Sequence, residues 1–196
     1  MKTTVIYAHP YDKSFCKAIL DKVIEGLKAK GKDYYLIDLY KDGFDPVMKG
    51  KDLALFSRGK TVDPLVAKYQ GILKDTQNVV LVFPVWWMGE PAILKGFFDK
   101  VFLKGFAYTQ GPHGEMLPAL DNLDKVIAFT TSGTPSGLLC GSKAGECIKA
   151  AFFDESFRTV GAKQVIWTNF GALPLQTPIT REGYLEKVEE VIKAQA

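Results

Sequence analysis

The chain has 196 residues, 47% of them hydrophobic and 24% charged, with 25 Lys+Arg against 22 Asp+Glu for a formal net charge of +3. That length supports one domain with a full core over residues 1–196, and a balance this mild, with no Lys/Arg block, excludes the basic tracts that follow nucleic-acid phosphates. The longest uncharged apolar run, residues 79–89, is too short to cross a bilayer; three cysteines without a CxxC spacing indicate neither a disulfide framework nor a zinc site, so a reducing cytoplasm is the expected compartment.

The first predicted strand is residues 4–8 (TVIYA), followed by the polar turn His9-Pro10-Tyr11-Asp12-Lys13-Ser14. A helix over about residues 15–30 follows, with Phe15, Ile19, Val23 and Leu27 on one face and Gly31 past its end. Strand, polar turn and helix start is where free backbone N–H groups and the positive dipole end collect a phosphate. Ser14 serves there either as a plain N-cap or as a hydroxyl donor to that phosphate. There is no GxGxxG and no Walker lysine motif, which argues against a dinucleotide-fingerprint domain and an NTPase. With His9 and His113 as the only histidines, far apart, a histidine-based metal site is not expected.

Residues 34–39 (YYLIDL) read as a second strand, residues 40–61 as a polar, glycine-dotted connection, and Asp63-Pro64 as the start of a helix to about Thr76. The third strand is the doubly buried run 79–83, stopped by Pro84, which has no N–H for the ladder. The loop Val85-Trp86-Trp87-Met88-Gly89 leads into a helix with Pro91 in its first turn and Ile93, Leu94, Phe97, Phe98, Val101 and Phe102 as its apolar face. Trp86 and Trp87 either plug the top of the core or form the platform for a flat ligand. Residues 106–120 carry no clear period and form a long irregular excursion.

A fourth strand, residues 125–131 (KVIAFTT), runs into the small-residue loop 132–137. A helical stretch over about 144–160, a fifth strand at 164–168 (QVIWT) and a last helix capped by Thr180, with Leu185, Val188, Val191 and Ile192 buried, complete the reading. Five apolar strands alternating with helices predict an α/β fold: a flavodoxin-like three-layer sandwich with a five-stranded parallel sheet in the order 2-1-3-4-5. The loops 9–14, 85–89 and 132–137 then meet at one edge. One suits a phosphate, one is aromatic and one is rich in backbone donors, which are the three needs of a flavin mononucleotide unit.

The pattern Ala8-His9-Pro10 with Ser14-Phe15, the block Phe83-Pro84 … Trp87 … Gly89 … Pro91-Ala92-Ile93-Leu94-Lys95-Gly96-Phe97-Phe98-Asp99, the Phe106-Ala107-Tyr108 run and Thr130-Thr131-Ser132-Gly133 resemble the NAD(P)H:quinone oxidoreductase (DT-diaphorase-like) family. The likeness spans about residues 3–150. It implies tightly bound flavin (FMN or FAD), NADH or NADPH as donor, a quinone-like acceptor, ping-pong two-electron hydride transfer, and a homodimer with its site at the subunit interface. Residue by residue it implies that His9, Ser14, Phe15 and Cys16 lie toward the flavin phosphates, and that Pro84, Val85, Trp86, Trp87 and Met88 wrap the ring. Thr131, Ser132 and Gly133 would meet the ring's pyrimidine end, and Tyr108 would line the neighbouring subunit's acceptor pocket. Beyond the resemblance, the backbone N–H groups of Ser132 and Gly133 are the expected source of help for developing negative charge.

The chain departs from that pattern at Cys16, where the mammalian type has an asparagine, and at Gln110, where it has a second pocket tyrosine. Its charge-buffering Tyr and His fall here at about Leu138 and Ala144. A flavodoxin-type electron carrier and an ancillary flavoprotein subunit of a membrane transporter are the alternative readings, the first disfavoured by the positive net charge.

Overall fold

A computed structural model describes residues 2–195. β1 (Thr3–Tyr7) leads into α1 (Phe15–Ala29), β2 (Tyr34–Asp38), the short α2 (Gly50–Phe56) and α3 (Pro64–Lys74). β3 (Asn78–Pro84) and α4 (Ala92–Val101) precede an antiparallel hairpin of β4 (Tyr108–Gln110) and β5 (Met116–Pro118). After β6 (Lys125–Thr131) come α5 (Ser136–Cys140), α6 (Lys143–Cys147), a π-helical stretch (Ile148–Glu155) and α7 (Ser156–Val160). β7 (Gln164–Phe170), a 3₁₀ turn (Leu173–Leu175) and α8 (Pro178–Gln195) complete the described chain.

The strands that read as unbroken apolar runs are the ones with helices on both faces. β1 and β3 are buried along their whole length, and β6 along all but its first residue. The sheet is parallel in the order β2-β1-β3-β6-β7. With the hairpin set aside, this is the expected 2-1-3-4-5. Tyr7 pairs beside Val82, Pro84 beside Thr131 and Thr131 beside Phe170, so β1, β3, β6 and β7 bring their carboxyl ends to a common edge.

Two apolar clusters form the layers. On one face Val5, Tyr7, Val80 and Phe129 pack with Ile19, Val23 and Leu27 of α1 and Val188 and Ile192 of α8. On the other, Ile6, Leu81 and Phe83 pack with Tyr69 of α3, Phe97 of α4, and Phe153 and Phe157. α1 starts where the sequence places it, with Ser14 Oγ accepting the Lys17 N–H at 3.1 Å, and Gly31 takes the left-handed turn beyond its end at φ +62°.

Several local details differ from expectation: β3 runs through Pro84, which pairs beside Thr131, and the helical stretch read over 144–160 is divided into α6, the π-helical stretch and α7. α2 sits inside the connection read as polar; with 7 residues it is too short to show a period. The irregular excursion at 106–120 contains the hairpin, whose strands are only 3 residues each. Pro91 occupies the N-cap position of α4 rather than its first turn. The last helix is capped by Thr177, whose Oγ1 accepts the Thr180 N–H at 3.2 Å, because Pro178 is already its first residue.

Candidate functional site at the carboxyl edge of the sheet

The β1–α1 loop supplies the first group of residues. Nδ1 of His9 accepts the Tyr11 N–H at 3.1 Å, which in the neutral imidazole leaves the proton on Nε2. Burial holds His9 below the usual imidazole value, so it is neutral at pH 7. Ser14 Oγ is occupied as the helix cap and lies 3.4 Å from Tyr7 Oη. The Phe15 ring packs edge-on against Phe170 and Tyr184, so what Phe15 offers a ligand is its backbone. Among the described residues, the N–H groups of Phe15 and Cys16 have no acceptor, as expected of the first helical positions. The Cys16 side chain is buried, with Sγ 3.2 Å from Thr131 Oγ1. Burial, opposed by that hydroxyl, pushes its thiol up to about 12. Cys16 therefore ties the start of α1 to the end of β6.

The aromatic loop supplies the second group. Val85 N–H donates to the Thr131 carbonyl at 2.7 Å, extending the β3–β6 pairing past Pro84. Trp86 and Gly89 then exchange both backbone hydrogen bonds, at 2.9 and 3.1 Å, around Trp87 and Met88. These two residues have φ of +49° and +59°, the sign required at both centres of a type I′ turn. That geometry normally selects Gly, Asn or Asp; non-glycine residues there cost about 1–3 kcal/mol each and cluster at functional sites. The turn lifts Trp87 fully into solvent, at 101% relative exposure, with Trp86 at 44% and Met88 at 50%. Trp87 does not plug the core. Trp86 meets the His9 ring edge-on at 5.9 Å, joining the first loop to the second.

The third loop, residues 132–137, is fixed from β7. Ser132 N–H is committed to the Phe170 carbonyl at 3.1 Å, while the N–H groups of Gly133 and Thr134 have no acceptor among the described residues. The free donors of this loop are therefore Gly133 and Thr134, with Ser136 and Gly137 at the start of α5, and Ser132 is not one of them. An added Cβ on Gly133 would meet nothing within 4 Å, so the backbone there is bare. Gly171 is the opposite case: a Cβ would stand 2.2 Å from Ser136 N and 2.5 Å from Thr134 O. Only glycine lets the end of β7 run this close.

The structure thus brings His9, Ser14, Phe15, Cys16, Pro84, Val85, Trp86, Trp87, Met88, Thr131, Ser132 and Gly133 to one sheet edge. Tyr108 is not among them. It lines a mostly apolar groove of about 350 Å³ with Met48, Leu53, Phe56, Phe98, Phe102 and one charged residue, Asp99. Leu138 is exposed, and Ala144 lines a second apolar groove of about 360 Å³ beside Met88, Gly89 and Phe152. Sequence reasoning missed Asn169, Thr130 and Trp167, which brace the third loop. The polar pair Thr168-Asn169, set inside β7 before its closing Phe170, was the only signal for Asn169.

A parallel sheet in this order, with its loops gathered where the order reverses, defines a flavodoxin-like α/β protein. Residues 1–192 match the family described as the flavodoxin-like fold, and the chain belongs to that family. An uncharacterized NAD(P)H oxidoreductase of Haemophilus influenzae is 28% identical over 196 residues, covering 100% of this chain and 96% of the relative. NAD(P)H dehydrogenase (quinone) 1 of Cavia porcellus is 31% identical over 151 residues, 69% of this chain and 54% of the relative, so this chain spans about half of that protein's length. In structure, an NAD(P)H:quinone oxidoreductase from Methanothermobacter marburgensis superposes with a TM-score of 0.90 over 100% of this chain and 99% of its own, at 23% identity, a likeness of fold.

Proposed function

We propose that this chain is a flavin-dependent NAD(P)H oxidoreductase that reduces quinones or similar acceptors by ping-pong, two-electron hydride transfer. One observation carries the reading: a fully exposed Trp87 is held on a strained turn between two loops with uncommitted backbone N–H groups. The oxidoreductase names of the two sequence relatives support it.

The residues fit an FMN unit, alone or as half of FAD, by the chemistry of their donors. The N–H groups of Phe15 and Cys16, at the positive end of α1, bind the phosphate. His9, neutral and protonated on Nε2, adds a donor without a charge. Trp86, Trp87 and Met88 wrap the flat ring and exclude water from one side of it. The N–H groups of Gly133 and Thr134 meet its carbonyl-bearing edge. A bound flavin supplies the hydride relay between nicotinamide and acceptor.

The protein's own contribution is orientation and electrostatics. Neither Leu138 nor Ala144 can ionise, so developing negative charge at the ring edge is met by backbone dipoles. Such donors need no reorganisation and no proton of their own. The acceptor pocket is completed by a second copy of the chain that brings Tyr108 and its apolar groove to the exposed Trp87, giving a homodimer.

The test is reconstitution. Protein stripped of small molecules is titrated with FMN and with FAD, and steady-state rates are measured with NADH or NADPH and a benzoquinone. Uptake of one flavin per chain, and parallel double-reciprocal lines across acceptor concentrations, are expected. Failure to take up either flavin, or intersecting lines, overturns the reading.

A further inference from the structure

We infer that Asn169, at the end of β7, is a positioning residue that sets the ring-edge donors of the 132–137 loop. This inference rests on the flavin reading above. Trp167 Nε1–H donates to Thr130 Oγ1 at 2.8 Å, and Thr130 Oγ1–H donates to Asn169 Oδ1 at 2.8 Å. The Asn169 amide then donates both of its protons, to Ser132 Oγ at 2.9 Å and to Ser136 Oγ at 3.1 Å. Ser132 Oγ–H passes on to the Thr134 carbonyl at 2.6 Å, and Ser136 Oγ–H returns to the Asn169 carbonyl at 2.7 Å.

Every side-chain proton in this chain has one acceptor, so the direction of the whole network is determined. Trp167 has only a donor; Thr130 must therefore accept from it and give its own proton to an oxygen. That fixes Oδ1 of Asn169 toward Thr130 and the amide nitrogen toward the two serines. No flipped amide satisfies the same set. Thr130 is fully buried and Ser132 nearly so, and a network of this kind is costly to leave half made.

The consequence falls on the backbone between the serines. The Ser132 and Thr134 carbonyls also accept the Leu173 and Ala172 N–H groups, at 3.2 and 3.1 Å. Both ends of the segment are clamped, and the N–H groups left over are those of Gly133 and Thr134. Asn169 touches neither of these donors nor any site for a ring. Its effect is to hold them in one place, and preorganised donors are the ones that stabilise charge.

Asn169→Leu keeps the branched outline of the side chain, in a larger volume, and removes every side-chain bond; Ser136→Ala removes one Asn169 partner and leaves those to Thr130 and Ser132. For each purified variant, flavin affinity is measured by fluorescence quenching and the two-electron midpoint potential by equilibration with a reference dye. Asn169→Leu is expected to weaken flavin binding about tenfold and move the potential to more negative values, with Ser136→Ala shifting both in the same direction by a smaller factor. If Asn169→Leu does not fold, Ser136→Ala alone decides. Looser binding at an unchanged potential identifies mere scaffolding and overturns the inference, as does affinity within twofold of wild type. Wild-type protein that binds no flavin overturns the parent reading instead, which separates the two failures.

Discussion

Trp87 and Met88 separate ligand binding from folding at single positions. Each adopts a backbone conformation that disfavours L side chains, yet neither is buried in a way that offsets the strain. Met88→Gly should therefore raise the stability of the flavin-free protein by roughly 0.5–1 kcal/mol in urea titration, the relief of strain exceeding glycine's added chain entropy. Trp87→Ala should leave stability within about 0.5 kcal/mol while weakening flavin binding at least tenfold. Large destabilisation by Trp87→Ala would show that the ring supports the fold after all.

Cys16 makes a pH-dependent statement at the same scale. Its thiol is pushed up to about 12 by burial, against an unfolded value near 9.0. Between those values the unfolded chain releases a proton that the native one keeps, so its contribution is complete below pH 9 and is lost as pH rises toward 12. Urea midpoints should fall steadily over that window, and less steeply in Cys16→Ala. At pH 8 a thiol reagent should titrate the exposed Cys140 and Cys147 and spare Cys16 until the protein unfolds.

What the sequence could convey about elements followed from how each is buried. β3 and β6 were legible because burial on both faces leaves a bare apolar run, and α1 because its cap and four-residue period agree. α2 and the β4–β5 hairpin were not legible, since 7 and 3 residues cannot establish a period. The placing of the loops followed from sheet order and so was legible too. The division of labour inside the third loop was not: that Ser132 N–H is spent on Phe170 depends on a strand 38 residues further on. Asn169 escaped notice for the same reason, because its partners lie on β6 and α5. At this scale the close pass of β7 under the loop is the exposed point. Gly171→Ala should force the two segments apart, costing about 1–3 kcal/mol and loosening flavin binding several-fold; differential scanning calorimetry with and without flavin checks both, and an unchanged profile would contradict the packing.

Taken as a whole molecule, the protein gathers three loops at the carboxyl edge of its sheet and, around α2 and α4, has a mostly apolar groove that nothing in the described chain covers. Leu53 is 58% exposed at that groove, with Phe56 and Tyr108 beside it. Joining two copies across it would bury both features. Sedimentation should then report a dimer, and Leu53→Glu a monomer that retains flavin but loses acceptor turnover at least tenfold, since burying the carboxylate unpaired is expensive. A wild-type monomer with full turnover would contradict the second-copy pocket. Among the described residues no helix is long and apolar enough to cross a membrane.

In the proposed function the loop tips of β1, β3 and β6 present a redox ring to a nicotinamide. Anaerobic stopped-flow mixing of the flavin-loaded protein with NADH, and separately with NADPH, decides whether it does. The flavin's visible absorbance is expected to be lost within seconds with at least one donor, and to return on adding a quinone without oxygen. Flavin that keeps its full absorbance with both donors would contradict it.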